Sequence, residues 1–165
     1  MHSNVYGIVP IDVYNNDPEI KLDYYSWETL PSFCDYMEPI EEDKFSDEAA
    51  RIHLYLFNEA KVSPDLFELD EDNLTIKFKE GFKEAYFRSR WDLLVKTVLT
   101  SPDAFAQFSG LKYGSLIDTV LKTINREGDF YVADEYGGYD TFDNFVRSIN
   151  YDTTYKIFDI WDYHI

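Results

Sequence analysis

The side chains with the greatest chemical potential in this sequence are carboxylates, which are concentrated in two short stretches. The first stretch places six carboxylates within eleven positions, close to the aromatic residues Tyr36 and Phe45: Glu38, Glu41, Glu42, Asp43, Asp47 and Glu48. The second combines four carboxylates with two tyrosines: Asp134, Glu135, Tyr136, Tyr139, Asp140 and Asp143. Such groups bind metal ions, transfer protons, or pair with Lys and Arg side chains of another protein.

The chain as a whole is strongly acidic. Its 165 residues contain 32 Asp and Glu against 15 Lys and Arg, a formal net charge of −17. A small domain needs a net charge of only about 2 to 8 in magnitude to stay in solution, and a larger charge destabilises the compact state by self-repulsion. The surplus therefore suggests a function for the carboxylates. It also disfavours direct binding to nucleic acid or to an anionic membrane, which would repel the chain.

The acidic residues are unevenly distributed along the chain. Residues 1–50 carry 12 acids and 2 bases, whereas residues 51–100 carry 9 acids and 8 bases. The sequence leaves open whether the basic stretch from Lys77 to Lys96 neutralises the acid internally or contacts a partner.

Nucleophilic catalysis and metal binding find little support in the sequence. Cys34 lies among aromatic residues in an acidic region, without the cations that would activate a thiolate. Residues 70–81 begin like a calcium-binding loop, but its sixth and twelfth positions are Thr75 and Gly81 instead of Gly and Glu. We therefore predict no metal and no cofactor, and a protein that is not an enzyme. A small carboxylate-dependent hydrolase is the alternative, because among 32 Asp and Glu residues some pair of carboxylates will lie at a suitable separation by chance.

In charge and size the chain resembles the acidic proteins with which phages block CRISPR effectors or restriction enzymes, and the immunity proteins that neutralise nuclease toxins. The resemblance implies a non-enzymatic inhibitor whose carboxylates imitate the phosphates of DNA or RNA, with tyrosines as anchors. Its partner would be a basic nucleic-acid-binding protein: a CRISPR effector, a restriction enzyme or, for an immunity protein, a nuclease toxin. The two acidic stretches would form the contact surface.

The single cysteine and the lack of a signal peptide or a long apolar run predict a cytoplasmic protein.

Hydrophobic residues make up 45% of the chain and aromatic residues 18%, which predicts one folded domain over residues 1–165. The interspersed patterns favour the α+β class, with a small, mostly antiparallel sheet and about five helices. Strands are expected at residues 5–9 and 11–14, at a sheet edge or with a bulge, and at 74–78, 130–133 and 154–165.

The longer helical patterns fall in five places. They cover residues 27–37, a segment that starts at Ser46, residues 82–99, residues 115–126, and a short segment capped by Thr141. In the second, Ala49, Ile52, Leu56 and Ala60 share one face. The helix over 82–99 carries two apolar stripes and is predicted to be central.

Overall fold

A computed structural model describes residues 2–24, 34–96, 98, 102–110 and 130–164 of the chain. Seven strands form one sheet: β1 (His2–Pro10), β2 (Tyr36–Pro39), β3 (Phe67–Asp70), β4 (Thr75–Phe78), β5 (Phe130–Ala133), β6 (Tyr139–Thr141) and β7 (Thr154–His164). Five α-helices lie within these residues: α1 (Ile11–Asn16), α2 (Phe45–Leu54), α3 (Phe82–Val95), α4 (Pro102–Phe108) and α5 (Phe142–Ser148). The predicted α+β class is confirmed, and the sheet is larger than expected.

The two longest strands, β1 and β7, form the centre of the sheet. The strand order is β3-β4-β7-β1-β5-β6, and β2 is a further neighbour of β7. On the edge of β7 away from β1, β4 pairs with residues 154–156 and β2 with residues 161–164. Only β1 and β5 run parallel among these pairs. The C-terminal end of β7 therefore lies between the N-terminal strand β1 and the segment that begins at Tyr36.

Each face of the sheet supports its own core. Alternate side chains of β1 divide between the two faces, as a strand requires: Tyr6 and Ile8 join a core that includes buried residues of α2, α3 and α5. Val5 and Val9 join the opposite core, in which Leu22 is also buried. Because both faces are covered, the central strands are almost fully buried.

A bulge interrupts the pairing of β1 with β7. The register shifts between Gly7 and Ile8, and Phe158 is the residue left out of the pairing. Its ring lies so close to Gly7 that a Cβ at position 7 would be 2.7 Å from the ring. Of the two predicted alternatives, an edge position or a bulge, the bulge is the one that the structure shows, and β1 lies inside the sheet between β7 and β5.

The strand predicted at residues 11–14 is helix α1. Pro10 ends β1 with an extended backbone, and the helix begins at the next residue. Val13 and Tyr14 of this helix pack against the core of the second face. Tertiary packing thus overrides the β-propensity of these residues.

Helix α2 confirms the predicted apolar face, since the four residues at helical spacing are all buried: Ala49, Ile52, Leu56 and Ala60. The helix begins at Phe45, one residue before the predicted cap Ser46, and continues through a π-helical turn over Tyr55–Glu59. At the start of α5 the cap prediction is confirmed, because Thr141 Oγ1 accepts a hydrogen bond from the backbone N–H of Asn144.

Helix α3 is not central, contrary to the prediction. Phe82 and Tyr86 are buried, whereas Trp91 and Leu93 are 57% and 48% exposed. Each apolar stripe is therefore covered only in part, because the exposed Leu93 belongs to the same stripe as the buried Phe82 and Tyr86. Of the helix predicted over 27–37, Tyr36 and Met37 lie in β2 instead, and residues 27–33 lie outside the described residues. The helix predicted over 115–126 also lies outside them.

Candidate functional site

The first acidic stretch lines a surface cleft, hereafter the acidic cleft. It has a volume of about 450 Å³ and is lined by Asn4, Glu38, Pro39, Ile40, Glu41, Lys44, Glu48, Arg51 and Asp162. Four carboxylates thus face two cations. The other members of the first stretch, Glu42, Asp43 and Asp47, are exposed outside this lining.

The register of the sheet brings two carboxylates together in the acidic cleft. Glu38 of β2 lies directly opposite Asp162 of β7, and Asp162 lies opposite Asn4 of β1. Cβ atoms of opposed residues are about 4.5–5.5 Å apart, and like charges at such positions destabilise a sheet. The hydroxyl of Tyr36 donates to Glu38 Oε2 at 2.6 Å, and this hydrogen bond raises the pKa of Tyr36. Electrostatic attraction of Glu38 to Lys44 and of Asp162 to Arg51 offsets part of this repulsion. A further cation between Glu38 and Asp162 would relieve the remainder.

Glu48 connects helix α2 to the sheet at the floor of the acidic cleft. Its Oε2 accepts hydrogen bonds from Asn4 Nδ2 at 2.6 Å and from Arg51 Nη1 at 2.7 Å. The Tyr6 hydroxyl donates to the backbone carbonyl of Glu48 at 3.0 Å. Burial raises the pKa of Tyr6 to about 12, so the hydroxyl keeps its proton at neutral pH. The floor is therefore a fixed network.

Two ion pairs hold carboxylates of the first stretch near the surface. Lys44 Nζ lies 2.8 Å from Glu41, and Lys21 Nζ lies 2.6 Å from Glu42. Hydrogen bonds from these lysines lower the pKa of both carboxyls, which are therefore ionised at neutral pH. Exposed ion pairs of this kind contribute little to stability. A cation from a partner could replace either lysine at small cost.

A smaller pocket adjoins the acidic cleft. It has a volume of about 150 Å³, and Asn4 and Arg51 line both spaces. Tyr6, Tyr55 and Phe130 form its inner wall. The cleft thus has a partly aromatic recess beside it.

Two carboxylates of the second acidic stretch stabilise local structure. Asp134 Oδ1 accepts hydrogen bonds from the backbone N–H groups of Tyr136 and Gly138, both at 2.9 Å. Asp140 Oδ1 accepts one from Asn144 Nδ2 at 2.7 Å. The first carboxylate closes the turn between β5 and β6, and the second holds the start of α5. Such hydrogen bonds are typical of turns.

The third carboxylate, Asp143, points inward. Arg90 donates to both of its oxygens, with Nη2 2.6 Å from Oδ1. The Tyr86 hydroxyl donates to Oδ1 at 2.8 Å and lies 3.0 Å from the Tyr55 hydroxyl. Burial alone would raise the pKa of Asp143, but the hydrogen bonds from Arg90 and Tyr86 outweigh burial and lower it. Asp143 thus belongs to an internal network and contributes little to an outward-facing acidic surface.

The remaining members of the second stretch are arranged around the exposed turn. Tyr136 is 88% exposed, Tyr139 is 38% exposed, and Glu135 is half-buried. The two acidic stretches lie at opposite sides of the sheet, because β2 and β6 are separated by β7, β1 and β5. Between β2 and β6 there are four strand spacings, which correspond to a distance of about 19 Å. The structure therefore brings three carboxylates of the first stretch, Glu38, Glu41 and Glu48, together in one cleft and leaves the second stretch apart from it.

The groups suited to nucleophilic or metal chemistry are dispersed. Burial and the neighbouring Asp35 raise the pKa of the Cys34 thiol, which disfavours the reactive thiolate. His53 packs edge-on against the Phe67 ring at 5.3 Å. Among the described residues, no group of three or more His, Cys, Asp or Glu side chains is arranged to hold a metal ion.

Sequence reasoning named three of the nine residues that line the acidic cleft and missed, among others, Asn4 and Asp162. Asn4 is buried, and Asp162 lies near the C-terminal end of β7. Neither residue carries a local sequence signal for a site, since Asn4 follows the polar residues His2 and Ser3, and Asp162 lies in a strand that also contains Asp159. Their proximity to Glu38 depends on the pairing of three distant strands.

Comparisons with known proteins give no relative. No protein-family model, no curated protein and no solved structure matches the chain. Within the described residues, none of the helices combines the length and apolar character needed to cross a membrane.

Proposed function

We propose that this chain is a non-enzymatic inhibitor that acts in the cytoplasm and uses the acidic cleft to bind a basic nucleic-acid-binding protein. The observation that carries the proposal is the cross-strand pair of Glu38 and Asp162 at the wall of the cleft. An arginine or lysine side chain that enters the cleft would pair with both carboxylates, in addition to Arg51 and Lys44, which already line it. The partner class is a CRISPR effector, a restriction enzyme or a nuclease toxin.

The charge of the chain supports the same partner class. With a net charge of −17, the protein attracts a cationic surface over distance and repels nucleic acid itself. Complementary charge accelerates encounter, with association rates of about 10⁸ M⁻¹s⁻¹ or more at low salt. Cations that line a nucleic-acid groove would meet the exposed carboxylates Glu42, Asp43 and Asp47 beside the cleft.

The test compares two double variants with equal loss of charge. E38Q/D162N neutralises the pair in the acidic cleft, and D72N/E80Q neutralises two exposed carboxylates away from it. Each protein is immobilised at low salt beside the wild type, and proteins eluted at high salt are identified. The proposal expects a nucleic-acid-binding protein on the wild-type and D72N/E80Q columns that is depleted on E38Q/D162N.

The captured protein is then assayed for cleavage or binding of its nucleic acid. The proposal expects stoichiometric inhibition that added duplex or guide RNA relieves. Equal capture by all three columns, or a captured protein that does not bind nucleic acid, would contradict it.

A carboxylate-dependent hydrolase is the second candidate, favoured by the opposition of Glu38 and Asp162 within a cleft. Glycoside hydrolysis uses two carboxyl groups that flank the scissile bond. Turnover of chromogenic glycosides by the wild type, with loss of turnover in E38Q and in D162N, would support this candidate over an inhibitor.

A further inference from the structure

A second groove, the basic-aromatic groove, lies between α3 and α5. It has a volume of about 550 Å³ and is lined by Lys83, Glu84, Phe87, Arg88, Trp91 and Arg147. Three cations and one carboxylate give it a local charge of +2, on a chain whose net charge is −17. None of these residues lines the acidic cleft.

Helix periodicity builds one wall of this groove. Lys83, Phe87 and Trp91 are four residues apart and share one face of α3. Arg147 of α5 forms the other wall, with its guanidinium 4.9 Å from the centre of the Phe87 ring. Lys83 Nζ donates to the backbone carbonyl of Arg147 at 3.0 Å, which ties the two helices together.

The groove combines aromatic side chains of α3 with charged side chains that can change partners. The indole of Trp91 is 57% exposed. Arg88 pairs with Glu84 at 3.0 Å across one helical turn, and both side chains are largely exposed. Such a pair is weak, so Arg88 can turn to an anion on a ligand. Large exposed aromatic residues beside arginine are typical of the centres of protein interfaces.

We propose that the basic-aromatic groove binds a short acidic segment of another protein that carries one large apolar side chain. The apolar side chain packs between Phe87 and Trp91, and flanking carboxylates pair with Arg88 and Arg147. Charge complementarity selects this occupant. A long nucleic acid would feel the −17 charge of the whole protein, whereas a short segment interacts mainly with charges within about 8 Å at physiological ionic strength. This site is separate from the proposed inhibitory surface.

The test uses a blocked synthetic peptide of alternating glutamate and serine with a single central phenylalanine, labelled for fluorescence anisotropy. R88Q/R147Q removes two cations from the groove, and W91A removes the apolar wall. The matched control K77Q/K79Q removes the same charge from the β4 region. We expect the peptide to bind the wild type and K77Q/K79Q equally, and R88Q/R147Q about tenfold more weakly because charge-assisted contacts are lost.

W91A, and a peptide with alanine in place of phenylalanine, should also weaken binding. Equal weakening by R88Q/R147Q and K77Q/K79Q would overturn the proposal, because it would indicate attraction by overall charge alone. Competition by inorganic phosphate or a short single-stranded oligonucleotide as effective as unlabelled peptide would overturn it too. So would self-association that R88Q/R147Q abolishes in sedimentation experiments, since the occupant would then be a second copy. E38Q/D162N should bind the peptide as tightly as the wild type does. A failure of the inhibitor proposal can therefore be distinguished from a failure of the groove proposal.

Discussion

Replacing Asp143 by asparagine tests the internal network that connects α3 to α5. The substitution keeps the size of the side chain and removes the charge that faces Arg90. The Arg90 side chain is only 8% exposed, and that of Asp143 is 18% exposed. Removing one partner of a buried ion pair costs about 3–5 kcal/mol, because the other charge stays buried without compensation. The partial exposure of Asp143 places the expected loss near the lower value, about 3 kcal/mol.

Thermal and urea unfolding of D143N and the wild type measure this loss. For a chain of this length, about 3 kcal/mol corresponds to a fall in Tm of roughly 6–12 °C. The matched control is D152N, whose carboxyl is exposed in the neighbouring turn. The free energy of unfolding of D152N should stay within about 0.5 kcal/mol of the wild-type value.

The pH dependence supplies a second check. Because folding lowers the pKa of Asp143, the carboxylate contributes stability above its unfolded pKa of about 3.9. That contribution is lost as the pH falls through the lower folded value. The difference in free energy of unfolding between the wild type and D143N should therefore have its full value at pH 7 and become smaller below about pH 4. A loss of less than about 1 kcal/mol at pH 7, or a gap that persists unchanged into acid, would refute the reasoning.

Three further outcomes are expected. G7A should lower the free energy of unfolding by about 1–3 kcal/mol, measured by urea denaturation, because a methyl group would collide with the Phe158 ring. Y55F should cost about 1 kcal/mol in the same assay, because the hydrogen bond to the Tyr86 hydroxyl is lost. The association rate with a captured cationic partner, measured by surface plasmon resonance, should fall steeply as salt rises, whereas a rate independent of salt would contradict electrostatic attraction.

Local sequence signals predicted the elements whose structure depends on neighbours along the chain. The apolar face of α2 follows from a spacing of three and four residues, and the cap at Thr141 follows from its hydroxyl. The alternation around Ile76 likewise predicted β4. In each, the determining contacts lie within a few positions of each other, where sequence patterns carry information.

Elements that depend on distant contacts were predicted less well. The residues of α1 have β-propensity and become helical because they pack on the second face of the sheet. Trp91 fits an apolar stripe and is nevertheless exposed, because nothing in its own segment indicates which stripe meets the sheet. Asp143 stood among exposed acids, and its pairing with Arg90 joins residues 53 positions apart.

The acidic cleft illustrates the same division. Composition predicted a concentration of carboxylates at residues 38–48, and the described structure places three of the six along the cleft. The opposition of Glu38 and Asp162 depends on which strands pair and in which register. No periodicity in either segment specifies that register.

The most direct test of the account measures stability and binding together in E38Q/D162N. Neutralising a like-charged cross-strand pair should raise the free energy of unfolding by about 0.2–1 kcal/mol, while D72N/E80Q changes it less. The same variant should bind the captured cationic partner at least about tenfold more weakly than D72N/E80Q does. A variant that is less stable than the wild type, or that binds the partner as tightly as D72N/E80Q, would contradict a cleft built to receive a cation.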